Sequence, residues 1–291
     1  MEDPAFPAEL EREIFETIAA LYPSTIPTLL LVARRISVWI EPLLYTVVRT
    51  DIKGMHSAVE RAMKTKPDSF FTRSVRHIYL GPYKFDGPLL VRMCPNLISL
   101  AYIRPRGQPV LLAAVHSFRN IQRWSGSLVD LFDAADVVDL SLPVFKTVTH
   151  MDVFDDLESK NQYSSKLSAS LAALPALTHL CLNRTAEPRP IRYFLQHCAG
   201  LQVLVIMWSK PLPAKAMLRA LREAGITDVR YVVAVCNGYW GDWEVGARGG
   251  VDFWAAAEDL IARKRSGKIE GIRYSRFRML LLICRRVLPS S

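Results

Sequence analysis

The chain contains six histidines, and four of them (His77, His150, His179 and His197) fall near the starts of short strand-like stretches. Imidazoles are the commonest metal ligands and the usual acid–base groups at neutral pH. His150 and His179 each lie two residues after the first position of a recurring apolar pattern, so stacking of that pattern brings them close. Taken singly, a histidine at a variable strand position is a surface residue, and no metal site is expected. Asp152, Asp155 and Asp156 cluster within a few residues, but the glycine and the terminal bidentate glutamate of a calcium loop are missing. They read as an exposed acidic loop tip. The five cysteines (Cys94, Cys181, Cys198, Cys236 and Cys284) are odd in number, widely spaced and without a CxxC, which argues against a disulfide framework and a zinc site. No nucleophile elbow, phosphate loop or dinucleotide fingerprint is present. The chain therefore reads as non-enzymatic, with no catalytic residue, cofactor or metal.

The histidines are positioned by a pattern of an apolar residue, two variable ones, an apolar one, one variable, then an apolar or aromatic residue. It occurs at Val75-Ile78-Leu80, Leu97-Leu100-Tyr102, Val148-Met151-Val153, Leu177-Leu180-Leu182, Leu201-Leu204-Ile206 and Val229-Val232-Ala234, with a weaker copy at Ile121-Trp124. Its first positions are separated by 22 to 29 residues, the period of leucine-rich repeats. Amphipathic stretches such as 167–174 and 216–221 lie between the copies. One such unit cannot bury its apolar face alone, whereas stacked neighbours share a core. The rival architecture for alternating strand and helix is a doubly wound sheet, but no strand leads into a glycine-rich turn. The variable positions between the apolar ones form the face open to recognition. Its candidate substrate-contacting residues are His77, Tyr79, His150, His179 and Tyr231. Tyr239, Trp240 and Trp243 join them from a Gly-rich stretch that reads as a loop; their rings suit either a binding anchor or a cap on the open end of the core.

Half of the 291 residues are hydrophobic, so the chain is globular. The acidic start lacks the apolar run of a signal peptide, and the apolar runs at 29–33 and 279–284 are far shorter than the ~20 residues that span a bilayer. A cytoplasmic or nuclear protein without membrane contact is expected. Charge is uneven: residues 1–50 carry seven acidic and four basic side chains, and residues 255–291 carry nine basic and three acidic. A basic end of this kind can meet nucleic acid, but the aromatic–basic interleaving of an RNA module is missing, so nucleic acid is not an expected partner.

The acidic first segment is where function is most specific. Leu10, Ile14, Phe15, Ile18 and Leu21 recur at helical spacing, Pro23 stops that helix, and a second runs from Leu29 to Ile40. Pro42 disfavours continuation, so Leu43-Leu44-Tyr45 open a third short element. Phe6-Pro7-x-Glu9-Leu10 followed by Ile14-Phe15 and Ile18 resembles the first half of an F-box. Val32-Ala33-Arg34-Arg35-Ile36 and then Leu44-Tyr45 resemble its second half. The chain departs from that motif in Phe6 for Leu, Glu11 at an apolar position, Ala33 for Cys and Ile36 for Trp. The likeness covers residues 4–48.

The resemblance, closest to the divergent F-box sets of fungi, implies an α/β protein. A three-helix F-box-like motif (residues 1–50) and a connecting helix (51–72) precede an irregular leucine-rich-repeat-like α/β solenoid (73–238). A Gly/Trp-rich loop, capping helix and basic tail (239–291) complete it. It implies docking on the Skp adaptor of a cullin–RING ubiquitin ligase through Phe6, Pro7, Glu9, Leu10, Ile14, Phe15, Val32 and Arg35. The second segment would then present a protein substrate. The alternative is a leucine-rich-like interaction scaffold with a degenerate F-box and no ligase role; its N-terminal helices merely cap the body, which requires Leu10, Ile14 and Phe15 to be buried against it.

Overall fold

The apolar period of the first segment, uninterrupted by glycine or proline, makes α1 (Ala8–Leu21). In the computed structural model the described residues are 6–82, 85–103, 109–116, 118–134, 136–158, 162–183, 185–268 and 282–284. Pro23 ends α1 and opens a 3-10 turn that leads into α2 (Ile26–Leu29). The long second helix read from the sequence is broken earlier than expected. Ala33 is extended, and α3 (Arg34–Leu44) then runs through Pro42. Proline in the last turn removes a single N–H, and burial of Ile36 and Ile40 before it and packing of Leu43 and Leu44 after it outweigh that loss. These helices close on a small core of their own, built on Ala19, Ile26, Ile36 and Ile40. The join to the remainder is made by Lys66 Nζ against the Glu41 carboxylate (2.7 Å) and by the Tyr45 ring edge-on to Phe70.

The chain then alternates strand and helix. β1 (Val47–Arg49) is followed by α4 (Lys53–Thr65) and α5 (Asp68–Ser74), so the stretch 51–72 holds two helices. Next come β2 (His77–Leu80), α6 (Gly87–Met93), β3 (Ser99–Tyr102) and α7 (Pro109–Val115). They are followed by β4 (Arg123–Gly126), α8 (Leu128–Phe132), β5 (His150–Val153) and α9 (Gln162–Ala172). The last units are β6 (His179–Asn183), α10 (Pro188–His197), β7 (Val203–Trp208), α11 (Pro211–Glu223) and β8 (Tyr231–Cys236). Two further helices, α12 (Tyr239–Ala247) and α13 (Phe253–Arg265), precede β9 (Leu282–Cys284). The result is an α/β protein with a nine-stranded parallel sheet whose strand order follows the sequence from β1 to β9. The order reverses nowhere among the described strands, unlike that of a doubly wound sheet.

Side chains alternate across each strand, and the two faces are covered differently. Ile78, Leu80, Leu100, Tyr102, Trp124, Met151, Leu180 and Leu204 point to the helices of the crossovers, where they pack with Phe71, Leu90, Leu111, Leu128, Leu167, Phe194 and Leu221 in one continuous core. These are the apolar positions of the sequence pattern. The last copy is out of step by one residue. Tyr231 and Val233 pair with Leu204 and Ile206 and share their core, while Val232 and Ala234 face the other way. A run of apolar residues on both faces gives no alternation from which to read register, and so Tyr231 does not lie on the recognition face.

That second face is the inner one, and the C-terminal helices lie on it. Trp243 of α12 packs on Val47, Tyr79 and Ala101. Phe253, Trp254, Ala257, Leu260 and Ile261 of α13 pack on Cys181, Val205, Val232 and Ala234. The stretch at 239–247, read as a loop because of its glycines, is helical instead. Trp240 and Trp243 anchor it to the sheet, and Gly246 is where α12 meets the next turn: a Cβ there would collide with the Asp252 carboxylate. Asp252 in turn caps α13 by accepting from the Ala255 N–H (2.9 Å), and Asp242 accepts from the Phe253 N–H (2.9 Å).

Candidate functional site

Two regions collect the residues singled out by type and spacing. The first is the outer surface of the N-terminal helices. Phe6, Leu10, Ile14 and Val32 are 54%, 50%, 43% and 57% exposed, and Pro7, Glu9 and Arg35 are exposed beside them. Phe15 is half-buried against the module's own core, not against the sheet. Arg35 forms a bidentate pair with Glu11, with both N–O distances at 2.7 Å. The guanidinium hydrogen bonds hold the Glu11 carboxyl below its ordinary pKa. Glu11, a departure from the F-box pattern, thus binds α3 to α1 across the helix pair, while Ile36, the departure at the tryptophan position, fills the module core. Among the described residues no helix is long and apolar enough to cross a membrane.

The second region is the inner face of the sheet. Parallel pairing in register places His77 beside Ser99 and His150 beside His179. His77 Nδ1 lies 2.7 Å from Ser99 Oγ. Burial and the nearby arginines Arg123, Arg248 and Arg76 lower its pKa to about 4. Tyr79 stacks on Trp240, and Arg49 beside it is paired with Asp51 (2.7 Å) and with Glu244 of α12 (3.0 Å). The surface predicted to be open for a substrate is therefore closed by the chain itself. Tyr79, His179, Tyr231 and Trp243 are buried, and His77, His150, Tyr239 and Trp240 are only half-exposed. Tyr239, Trp240 and Trp243 neither project outward nor cap an end; they line the middle layer between sheet and helix.

The three aspartates read as a loop tip have separate positions. Asp152 is fully buried on the inner face, where its Oδ2 accepts from the Tyr239 hydroxyl and lies 3.3 Å from Ser125 Oγ. Burial raises its pKa to about 6, against the lowering effect of the Cys181, Tyr239 and Ser125 hydrogen bonds. Asp155 accepts from the Leu128 and Val129 N–H groups (2.7 and 3.0 Å) and from Ser127 Oγ (2.9 Å), so it satisfies the start of α8 from the following unit. Asp156 takes the Glu158 N–H at 2.8 Å.

The two histidines expected to approach each other do so closely. The rings of His150 and His179 are stacked, with centroids 4.0 Å apart and planes 10° from parallel. Trp254 of α13 stands edge-on to both. His179 Nε2 is 2.8 Å from Glu258 Oε1, and Arg123 next to the pair is bound to Asp252 at 2.9 Å. Burial first, then His179 and Arg123, lower the His150 pKa to about 3; burial is also the main cause that lowers His179. Asp252 and Glu258 escaped the sequence reading because they reach this face from a helix far along the chain, and Arg123 because the strand pattern is weakest there. Cys94, Cys181, Cys198 and Cys236 are buried and not in disulfides, with burial raising the thiol of Cys94 to about 12. Compared with known proteins, the chain matches no family model, no curated protein and no solved structure.

Proposed function

We propose that this chain is a non-catalytic substrate-recognition subunit of a Skp–cullin–F-box type ubiquitin ligase. Residues 4–48 form an F-box-like helical motif that docks on the Skp adaptor, and the remainder is a leucine-rich-repeat-like solenoid. The observation that carries the reading is the apolar surface of Phe6, Leu10, Ile14 and Val32, left uncovered although the helices beneath it have completed a core of their own. Had the helices been a cap on the body, these side chains would lie against it. An uncovered apolar patch on a polar rim is the usual mark of a partner surface. The sequential order of nine parallel strands, with crossover helices on one face, supports the solenoid part.

As an adaptor the chain does no chemistry. Tethering raises the effective concentration of a substrate near a separate ubiquitin-transferring enzyme. The inner face of the sheet is filled by α12 and α13, so a substrate that uses it must displace them. The test is capture of the purified full chain by purified Skp adaptor, compared with a Leu10→Asp, Ile14→Asp variant. Capture by the parent chain and at least tenfold weaker capture of the variant supports the reading. No capture of a folded parent chain overturns it and leaves an interaction scaffold with a degenerate motif.

A further inference from the structure

His150 and His179 are joined by a repeated arrangement that extends beyond the rings. In each case the preceding threonine hydroxyl is within reach of the ring: Thr149 Oγ1 to His150 Nδ1 is 2.9 Å, and Thr178 Oγ1 to His179 Nδ1 is 2.8 Å. Each hydroxyl also lies beside a strand carbonyl, Gln122 O at 3.1 Å and Thr149 O at 3.2 Å. A hydroxyl so placed can accept the Nδ1 proton while it donates its own to the carbonyl. In that tautomer both imidazoles present Nε2 as a lone pair. Metal-bound histidines are held this way, with the second nitrogen donating to an outer partner.

At His179 that lone pair faces a carboxylate oxygen, Glu258 Oε1, at 2.8 Å. Two acceptors at this distance need a proton or a cation between them. Charge favours a cation. Arg123 is already paired with Asp252, and the Glu258 carboxylate faces the His179 ring with no ion pair to a lysine or arginine among the described residues. One ligand atom from each of His150, His179 and Glu258 lies within 4.8 Å of the others. Glu258 is half-exposed, which gives an entry path from solvent, and Trp254 walls the rings on the inner side.

We propose that His150, His179 and Glu258 bind one first-row divalent cation of the zinc type, with the fourth position open to water. Two imidazole nitrogens and a carboxylate oxygen suit zinc and its neighbours and do not suit calcium or magnesium. Binding turns the two rings out of their stack so that the Nε2 atoms converge to about 3.3 Å, the separation in a tetrahedral zinc site. The site is independent of the adaptor reading above.

The experiment uses the full chain stripped with a chelator, titrated with Zn²⁺ by calorimetry and with Co²⁺ by visible absorption. The expected result is one saturable equivalent, with ligand-field bands of a four- or five-coordinate nitrogen–oxygen site for Co²⁺. Glu258→Gln, at an exposed position that leaves folding intact, and the pair His150→Gln, His179→Gln each weaken binding by at least about tenfold. His77→Gln, a control on the same face, leaves it unchanged. Thr149→Val with Thr178→Val weakens it by roughly 10–100-fold without removing a ligand. No saturable binding by the parent chain, or Zn²⁺ affinity and Co²⁺ bands that persist in Glu258→Gln, overturns the proposal.

Discussion

Tyr79 of β2 and Trp240 of α12 lie face to face, with ring centroids 3.8 Å apart and planes within 10° of parallel. The contact fastens a C-terminal helix to one of the first strands of the sheet, and Arg49 over the Tyr79 ring adds a cation on its edge of the stack. Such a pair contributes about 0.5–1.5 kcal/mol beyond the area it buries. A double-mutant cycle of Tyr79→Leu and Trp240→Leu, followed by urea unfolding, is expected to give a coupling of about 1 kcal/mol. A coupling near zero would mean that α12 is held by its other contacts, among them Trp243 on the sheet, Tyr239 on Asp152 and the Arg49–Glu244 pair.

Substitutions on the N-terminal module divide by face. Ile14→Asp and Leu10→Asp change stability by less than about 0.5 kcal/mol, because these side chains already meet water. Ile40→Ala, in the module core, costs about 2–5 kcal/mol. Thermal unfolding of the three variants checks this. A large loss for Ile14→Asp would place that face in a buried contact.

Asp155 gives a stability test away from both candidate regions. Asp155→Ala strips partners from two backbone N–H groups at the start of α8 and from Ser127. The expected loss is about 1–3 kcal/mol. Asp155→Asn keeps an acceptor and recovers part of it. Denaturant midpoints measure the difference.

Lys264 makes stability depend on pH in the alkaline range. Its Nζ donates to the Tyr231 carbonyl at 2.7 Å, and burial lowers its pKa to about 8, against the opposing pull of Asp228. In the unfolded chain the value returns to 10.5. Between these values the unfolded state binds more protons, so the contribution of Lys264 to stability rises with pH. Buried thiols such as Cys94 and Cys181, whose values are raised, act in the opposite sense once unfolded cysteines ionise. The measurement is therefore the difference in Tm between the chain and Lys264→Met, at about pH 7 and about pH 9. Lys264→Met is expected to hold an advantage at the lower pH that shrinks at the higher one.

Much of the body could be read from spacing. The apolar positions around Ile78, Leu100, Met151, Leu180 and Leu204 face one core as the pattern implies, because burial on one face writes a period of two into a strand. The approach of His150 and His179 followed from the same register. Where both faces are apolar, as at Val232–Val235, the period vanishes and the register was off by one residue. β1 is three residues long and left no pattern. The largest gap concerned α12 and α13. Their glycines and tryptophans describe a loop locally, and only tertiary contact with Tyr79, Ala101 and Asp152 makes them a helical layer. Glu258 and Asp252 are invisible for the same reason: helix residues far along the chain cannot be paired with strand residues by spacing.

The layer formed by α12 and α13 also changes how the sheet comes apart. Strands stacked in sequence order touch only their neighbours, and such an array can fray from either end, one unit at a time. Here Glu244 reaches Arg49 of β1, and Lys264 reaches the Tyr231 carbonyl of β8. One pair of adjacent helices thus ties the first strand to β8, the neighbour of the last described strand. Fraying at β1 must break contacts that also hold the far end, which favours a single cooperative transition. The clasp follows β1 to β8 in the chain, so a nascent chain carries the inner face of those strands bare until α12 and α13 have been made.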